Sequence, residues 1–195
     1  MSNGKMELGQ LCELLKDLQP YFTAVHLREK HRSAREIYDA VHLLLKNGIP
    51  PSKIIINDRV DVSIAAGSGG VQLAFHSLRA SVVKNHFSEL KIGCSIHNIE
   101  EGQQAYQDGA DFLLYGHIFS TNSKPGLKPK GLEELKEMTK QLPIPVIAIG
   151  GITPKNAKLA VEAGAKGIAV MSGVLEANDP LSAIKAYQNA LKMEV

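Results

Sequence analysis

The chain has 195 residues, 44% of them hydrophobic, which is enough for one domain, spanning residues 1–195, with a sizeable core. The formal net charge of +2 is too small and too dispersed to favour a nucleic-acid partner, and no apolar run is long enough to cross a bilayer. The first residues are polar and the two cysteines are too few for a disulfide framework, so we expect a cytoplasmic protein.

Strands alternate with helices from the first apolar segments onward. Residues 8–18 carry apolar side chains at helical spacing, and residues 21–27 then predict a strand. Ser33 and Glu36 form the pattern of a capping box, in which each side chain accepts a hydrogen bond from the backbone of the other residue. Residues 54–57 form a short apolar run with a polar exit, which is typical of a parallel strand covered on both faces.

The same alternation continues to the end of the chain. Two late helices are predicted to begin with a capping residue followed by proline, at Thr153-Pro154 and at Asp179-Pro180. The pattern gives eight helices and seven strands, and the first helix has no strand before it. The later strands are predicted at residues 70–73, 91–95, 111–115, 146–149 and 167–171. Such repeated units leave a closed (β/α)8 barrel or an open doubly wound sheet as the main architectures.

Five segments resemble the thiamin phosphate synthase superfamily and keep its order along the chain. They are residues 56–61 (INDRVD), 93–97 (GCSIH), 109–116, 147–152 (IAIGGI) and 170–173 (VMSG). The resemblance covers nearly the whole chain from Ser2. It implies an α/β fold of the (β/α)8 TIM barrel type that lacks the first β-strand at the N-terminus. An open gap there would leave unpaired backbone groups on the two flanking strands.

Two departures from the synthases favour one branch of that superfamily. The synthases carry an aspartate that helps to hold Mg²⁺ after their fourth strand, where this chain has Ser77, so that Asp58 lacks its partner carboxylate. They usually have Gly-Pro after the sixth strand, where this chain has Gly116-His117. The combination resembles the thiazole tautomerases. It predicts an isomerase of thiamin biosynthesis that aromatises a carboxythiazole phosphate without a metal or a cofactor.

Two other functions stay open. One is thiamin phosphate synthase itself, a Mg²⁺-dependent transferase, against which Ser77 and His117 argue. The other is a non-catalytic regulatory or ligand-binding barrel, against which the full set of polar strand exits argues. The expected partner is a small phosphorylated thiazole rather than nucleic acid or a membrane, and an exposed barrel edge leaves a homo-oligomer open.

His117 is the predicted catalytic residue, because it matches the catalytic histidine of the tautomerases. An imidazole with an ordinary pKa of about 6.5 can take and return a proton near neutral pH. His117 also follows a strand, at the end where barrel enzymes keep their chemistry. Without the resemblance, a histidine that merely caps the strand end would be the simpler interpretation.

Phosphate is predicted to bind at two glycine-containing turns, Gly150-Gly151 and Ser172-Gly173. Glycine lets backbone N–H groups approach an anion closely, and the loops after the last two strands are the usual phosphate site of such barrels. The alternative is that these glycines serve only tight turns. Two such turns on adjacent strands favour phosphate.

The resemblance places further candidates at the other strand exits. The substrate-binding candidates are Arg28, Asn57, Gln72, Ser95, Thr121 and Lys124. Candidates for an acid–base or supporting role are Glu29, Lys30 and His97, although the first could be a salt-bridge partner, the second a solvated lysine and the third a helix cap. Five other histidines lack metal-ligand spacing and are expected to be structural or on the surface: His26, His31, His42, His76 and His86.

Overall fold

The structure, a computed structural model, describes residues 1–192 and contains one parallel sheet whose strand order follows the chain. Neighbouring strands pair in register, so that Asn57 lies opposite Gln72 and Gln72 lies opposite Gly93. All seven predicted strands are therefore present, and their carboxyl ends meet at one edge of the sheet. The strands are β1 (Val25–Leu27), β2 (Ile54–Asn57), β3 (Gly70–Leu73), β4 (Lys91–Ile96), β5 (Phe112–Gly116), β6 (Val146–Ile149) and β7 (Gly167–Ala169).

Helices follow the strands and cover the outside of the sheet. Those found within residues 1–192 are α1 (Leu8–Leu18), α2 (Ala34–Lys46), α3 (Val60–Ala66), α4 (Ala80–His86), α5 (Ile99–Gln107), α6 (Gly131–Gln141), α7 (Ala157–Glu162), α8 (Ser172–Leu175) and α9 (Pro180–Leu191). The helix α8 was not predicted, because four residues are too few to show helical periodicity. None of these helices combines the length and the apolar composition that a membrane crossing requires.

The predicted capping box at the start of α2 is present. The Ser33 hydroxyl accepts from the Glu36 backbone N–H at 3.3 Å, and the Glu36 carboxylate accepts from the Ser33 N–H at 2.8 Å. Asp179 caps α9 by accepting from the Ser182 N–H at 3.0 Å. Both caps satisfy N–H groups that the first helical turn leaves without partners.

The predicted start of α7 at Thr153 is wrong by several residues. The side chain of Asn156 accepts from the Thr153 N–H at 2.7 Å, and the Thr153 carbonyl oxygen accepts from the N–H groups of Asn156 and Ala157 at 3.1 and 2.9 Å. Residues 153–156 therefore form a turn that leads directly into the helix, whose regular hydrogen bonding begins at Ala157.

The strand β2 is buried on both faces, as its sequence predicts. Ile54 and Ile56 lie in a core cluster with α1 and α2, whereas Ile55 points to the inner side of the sheet and is also buried. The burial of apolar side chains on both faces fixes this strand in the middle of the molecule.

The first two residues occupy the space between the edges of β7 and β1. The amino group of Met1 donates to the carbonyl oxygen of Val170 at 3.0 Å, and the Ser2 N–H donates to that of His26 at 2.8 Å. Within residues 1–192 no strand pairing joins β7 to β1. The sheet is thus a seven-stranded parallel half-barrel of the TIM type, and a full eight-stranded (β/α)8 barrel is not formed.

Candidate active site

A layer of polar side chains lies on the inner side of the sheet near its carboxyl edge. The amide of Gln72 is fully buried and donates through Nε2 to the Ser95 hydroxyl at 3.0 Å. Its Oε1 is buried without a hydrogen-bond partner among the described residues. An unsatisfied buried acceptor is costly to folding, which points to a use in binding.

His26 belongs to this inner layer, although the sequence analysis treated it as structural or on the surface. Its ring meets the Phe112 ring edge-on at a centroid distance of 6.1 Å, and its Nδ1 is buried without a partner in the described chain. Burial, together with the nearby N-terminal ammonium group, lowers the pKa of His26 to about 3, so the ring is neutral. The sequence contained a signal for this position: successive side chains of a strand point to opposite faces, so His26 faces inward when Val25 and Leu27 face the helices.

A cavity of about 260 Å³ opens where β1 and β2 end. It brings together the predicted Asn57, Glu29 and Lys30 with residues that the sequence analysis did not select. Arg28 lies beside it, and its backbone N–H donates to the Ser2 hydroxyl at 2.8 Å. The residues that line the cavity are Glu29, Lys30, Arg32, Ile37, Asn57, Asp58, Arg59 and His76.

Three cationic side chains line this cavity, and they differ in how they are paired. Arg32 forms ion pairs with Glu36 and Glu7 at 3.0 and 3.2 Å, and Arg59 pairs with Asp61. Lys30 is exposed and has no carboxylate partner within residues 1–192. Of the three cations, Lys30 is therefore the one that an incoming anion can contact without breaking an existing ion pair.

Glu29 contributes a buried carboxylate to the same cavity. Its side chain is only 5% exposed, and its Oε2 has no hydrogen-bond partner among the described residues. Within residues 1–192 Glu29 forms no ion pair, so the alternative of a salt-bridge partner finds no support there.

The exits of β2 and β3 do not offer a ligand set that suits Mg²⁺. Asp58 supplies one carboxylate, but its Oδ1 accepts a hydrogen bond from Ser77 Oγ at 2.6 Å and its Oδ2 lies 3.8 Å from His76 Nε2. No three His, Cys, Asp or Glu side chains within residues 1–192 are grouped so that they could hold a metal ion. A small hard cation prefers several oxygen ligands, most of them charged or carbonyl oxygens.

His117 follows β5 and lies beneath the segment formed by residues 120–130. Its side chain is nearly buried, and its Nε2 lies 3.3 Å from the carbonyl oxygen of Leu127. The backbone N–H groups of Lys130 and Gly131 donate to the carbonyl oxygens of His117 and Ile118. The imidazole therefore fastens this segment to the end of β5 instead of standing open at the mouth of the barrel.

The turn after β6 requires its two glycines. A Cβ atom on Gly150 would lie 2.6 Å from the Cα of His117, and one on Gly151 would meet the carbonyl oxygen of Phe119. Both residues have positive φ angles, +95° and +66°. Their N–H groups donate to no backbone acceptor within residues 1–192, so they remain available to an anion.

The turn after β7 is held close to the turn after β6. Tyr187 of α9 donates its hydroxyl proton to the carbonyl oxygen of Ile152 at 2.8 Å, and the same hydroxyl fills the space beside Gly173. The two predicted phosphate turns, at Gly150-Gly151 and Ser172-Gly173, are thus neighbours.

Three other candidates lie outside the cavity. Thr121 and Lys124 belong to a turn in which the Lys124 N–H donates to the Thr121 carbonyl oxygen at 3.1 Å. His97 stands at the start of α5, where its N–H and its Nδ1 both meet the Glu101 carboxylate, at 2.7 and 3.3 Å. The cap of α5 is Asn98, whose Oδ1 accepts from the Glu101 N–H at 2.8 Å, so His97 supports this helix start from the preceding position and does not cap it.

Comparisons with known proteins agree on one family. The family model described as thiamine monophosphate synthase matches residues 3–174. The thiamine-phosphate synthases of Chloroflexus aurantiacus and Clostridium tetani are 38% and 40% identical to the chain, over 84% and 80% of it and 76% of each relative. The structure of thiamine phosphate pyrophosphorylase from Pyrococcus furiosus is 32% identical and superposes with a TM-score of 0.81, covering 97% of this chain and 92% of that one.

These relatives contradict the prediction of a thiazole tautomerase. They are named as synthases, which are transferases, whereas Ser77 and His117 predicted an isomerase. The position of His117 explains part of the error, because the structure gives this imidazole a contact that holds a loop. The similarity to synthases extends over residues 3–174, whereas the prediction of an isomerase rested on only two positions.

Proposed function

The chain belongs to the thiamine monophosphate synthase family, and from that premise we propose that it is a thiamine-phosphate synthase. Such a transferase moves a pyrimidine from its pyrophosphate ester to the nitrogen of a phosphorylated thiazole. One C–N bond forms, one C–O bond breaks, and inorganic pyrophosphate leaves. The relatives that support the proposal carry this name and match at least 80% of the chain.

The observation that carries the proposal is the cavity at the ends of β1 and β2. Three cationic side chains, Lys30, Arg32 and Arg59, line a volume of about 260 Å³. A pyrophosphate group carries several negative charges, and its charge grows as it leaves carbon. Fixed cationic donors favour that change because they stabilise the leaving group more than the ester.

The second phosphate is assigned to the turns after β6 and β7. The N–H groups of Gly150 and Gly151 lack backbone acceptors in the described chain, and Gly173 lies beside the same turn through Tyr187. These turns and the cationic cavity lie at the same edge of the half-barrel. Two anionic substrates held in this way would meet over the inner polar layer. Their reaction would then take place between groups already held in position and would not depend on a chance encounter in solution.

The inner layer is proposed to receive the heterocycles. Gln72 and Ser95 offer neutral donors and acceptors, and the neutral ring of His26 offers one more. Neutral polar groups of this kind suit ring nitrogens and an amino substituent better than they suit a charge.

The test is the coupling reaction itself. The purified chain is incubated with the pyrimidine pyrophosphate and the thiazole phosphate, with MgCl₂ and separately with EDTA, and thiamine phosphate is measured by mass spectrometry. Product in either condition supports the proposal. The proposal is overturned when no product forms in either condition while an established thiamine-phosphate synthase makes it from the same substrates.

A further inference from the structure

We infer that the exits of β2 and β3 hold no divalent cation, and that the cationic side chains of the neighbouring cavity bind the anionic part of a substrate directly. This inference rests on the proposed function for the role of the cationic cavity, and goes beyond it in stating that no divalent cation shares the neutralisation of pyrophosphate at these strand exits. It concerns two positions, Asp58 and Ser77.

The hydrogen bond between these residues occupies the carboxylate. Ser77 Oγ accepts from the Ala74 N–H at 2.9 Å and donates to Asp58 Oδ1 at 2.6 Å. A cation at Oδ1 would have to break the second bond and gain only a neutral hydroxyl oxygen in exchange. Charged carboxylate oxygens bind hard cations far better than hydroxyls do.

The other oxygen of Asp58 faces a histidine ring and two cationic side chains of the cavity rather than a second carboxylate. His76 Nε2 lies 3.8 Å from Oδ2, and Arg59 and Lys30 line the same cavity. Glu29 is the other carboxylate there, yet the described chain contains no group of three candidate ligands that includes both. A divalent ion would therefore meet more cationic than anionic side chains in this cavity.

The experiment measures Mn²⁺ binding by the electron paramagnetic resonance signal of the free ion, with no substrate present. Wild type and Asp58→Asn are expected to leave the signal equally unchanged. Ser77→Asp, which adds a second carboxylate beside Asp58, is expected to bind Mn²⁺ about tenfold or more tightly than wild type. Adding Asp58→Asn to Ser77→Asp is expected to remove the gain.

Two outcomes would overturn the inference. One is stoichiometric Mn²⁺ binding by wild type that Asp58→Asn abolishes. The other is a folded Ser77→Asp variant with no gain, since position 77 would then not face a cation beside Asp58.

Circular dichroism checks folding, with Ser77→Asn as the uncharged control of similar size. If Ser77→Asp does not fold, the comparison of wild type with Asp58→Asn decides alone. Because no substrate is used, failure of the coupling assay leaves this result untouched.

Discussion

The imidazole Nε2 of His117 lies 3.3 Å from the carbonyl oxygen of Leu127, which joins the end of β5 to the middle of the loop that follows it. Two backbone hydrogen bonds, from Lys130 and Gly131, hold the far end of the same loop. The loop carries Lys124 and Thr121, both candidates for substrate binding. The position of these two residues therefore depends on a side chain that the sequence analysis had assigned to proton transfer.

Replacing His117 with alanine is expected to loosen this loop without unfolding the protein. The side-chain bond to Leu127 is lost, whereas the backbone bonds of Lys130 and Gly131 remain. Hydrogen exchange followed by mass spectrometry should show faster exchange in residues 120–130, by about a factor of five to ten for a bond of roughly 1 kcal/mol. His31→Ala, at an exposed position, is the control. Unchanged exchange in this loop would contradict the role of His117.

Replacing Gly150 with alanine is expected to destabilise the protein strongly. The new Cβ would overlap His117, and the φ angle of +95° disfavours any L side chain. We expect a loss of about 2–4 kcal/mol in the free energy of unfolding, measured by urea denaturation. Gly126→Ala is the matched control, because Gly126 has a φ of +76° but no atom within 4 Å of a new Cβ. Its loss should be about 1 kcal/mol. Equal losses would show that the approach of His117 to Gly150 is unimportant.

Strand positions were predictable because a strand buried on both faces appears in the sequence as a short, nearly continuous apolar run. The bounds of β2, β3 and β6 agree with the sequence analysis to the residue. The start of α7 was predicted too early, because Thr153-Pro154 opens a turn that leads into the helix, and regular helical bonding begins only at Ala157.

The candidate site was only partly predictable, because side chains meet there from distant parts of the chain. Polar residues after apolar strands were the signal for Asn57, Glu29 and Lys30, which the structure places along one cavity. Arg32 lies just before α2, and His76 lies in the loop after β3. Both line the cavity because of the path that the chain takes there, which no local sequence pattern shows. The same holds for His117, whose partner Leu127 is fixed only by the path of the loop.

His26 is expected to make stability fall in mild acid. Its pKa is lowered to about 3 by burial and by the nearby ammonium group, against an ordinary value of about 6.5 in the unfolded chain. The unfolded state then binds the proton more readily, so the stabilisation is complete above pH 6.5 and is lost as the pH falls toward 3. The loss from pH 7 to pH 4 should reach about 3 kcal/mol in the free energy of unfolding.

Urea denaturation at several pH values between 7 and 4 tests this expectation. His26→Gln keeps a neutral polar side chain and should reduce the pH dependence by that amount, whereas His42→Ala, at an exposed position, should not. Identical slopes for wild type and His26→Gln would show that the imidazole is not held in its neutral form.

Replacing Gln72 with methionine should separate stability from activity. The amide Oε1 is buried without a partner in the described chain, so its removal relieves a cost that offsets the lost bond from Nε2 to Ser95, and the free energy of unfolding should change by no more than about 1 kcal/mol. If Gln72 contacts a heterocycle, kcat/KM for coupling should fall by about tenfold or more. A methionine variant that is as active as wild type would remove Gln72 from the site.

Lys30 provides the most direct test of the cationic cavity, because it is exposed and unpaired within residues 1–192 whereas Arg32 and Arg59 already have carboxylate partners. Lys30→Ala is expected to weaken the binding of inorganic pyrophosphate about tenfold, measured by isothermal titration calorimetry at low salt. The loss should shrink as NaCl is added, since the contact is exposed to solvent. Lys46→Ala is the control, because it removes the same charge from the last turn of α2. This turn precedes the start of β2, whereas the cavity lies at the other end of that strand. Because both variants lower the net charge equally, an equal loss of affinity would mean that pyrophosphate responds to overall charge and not to the cavity.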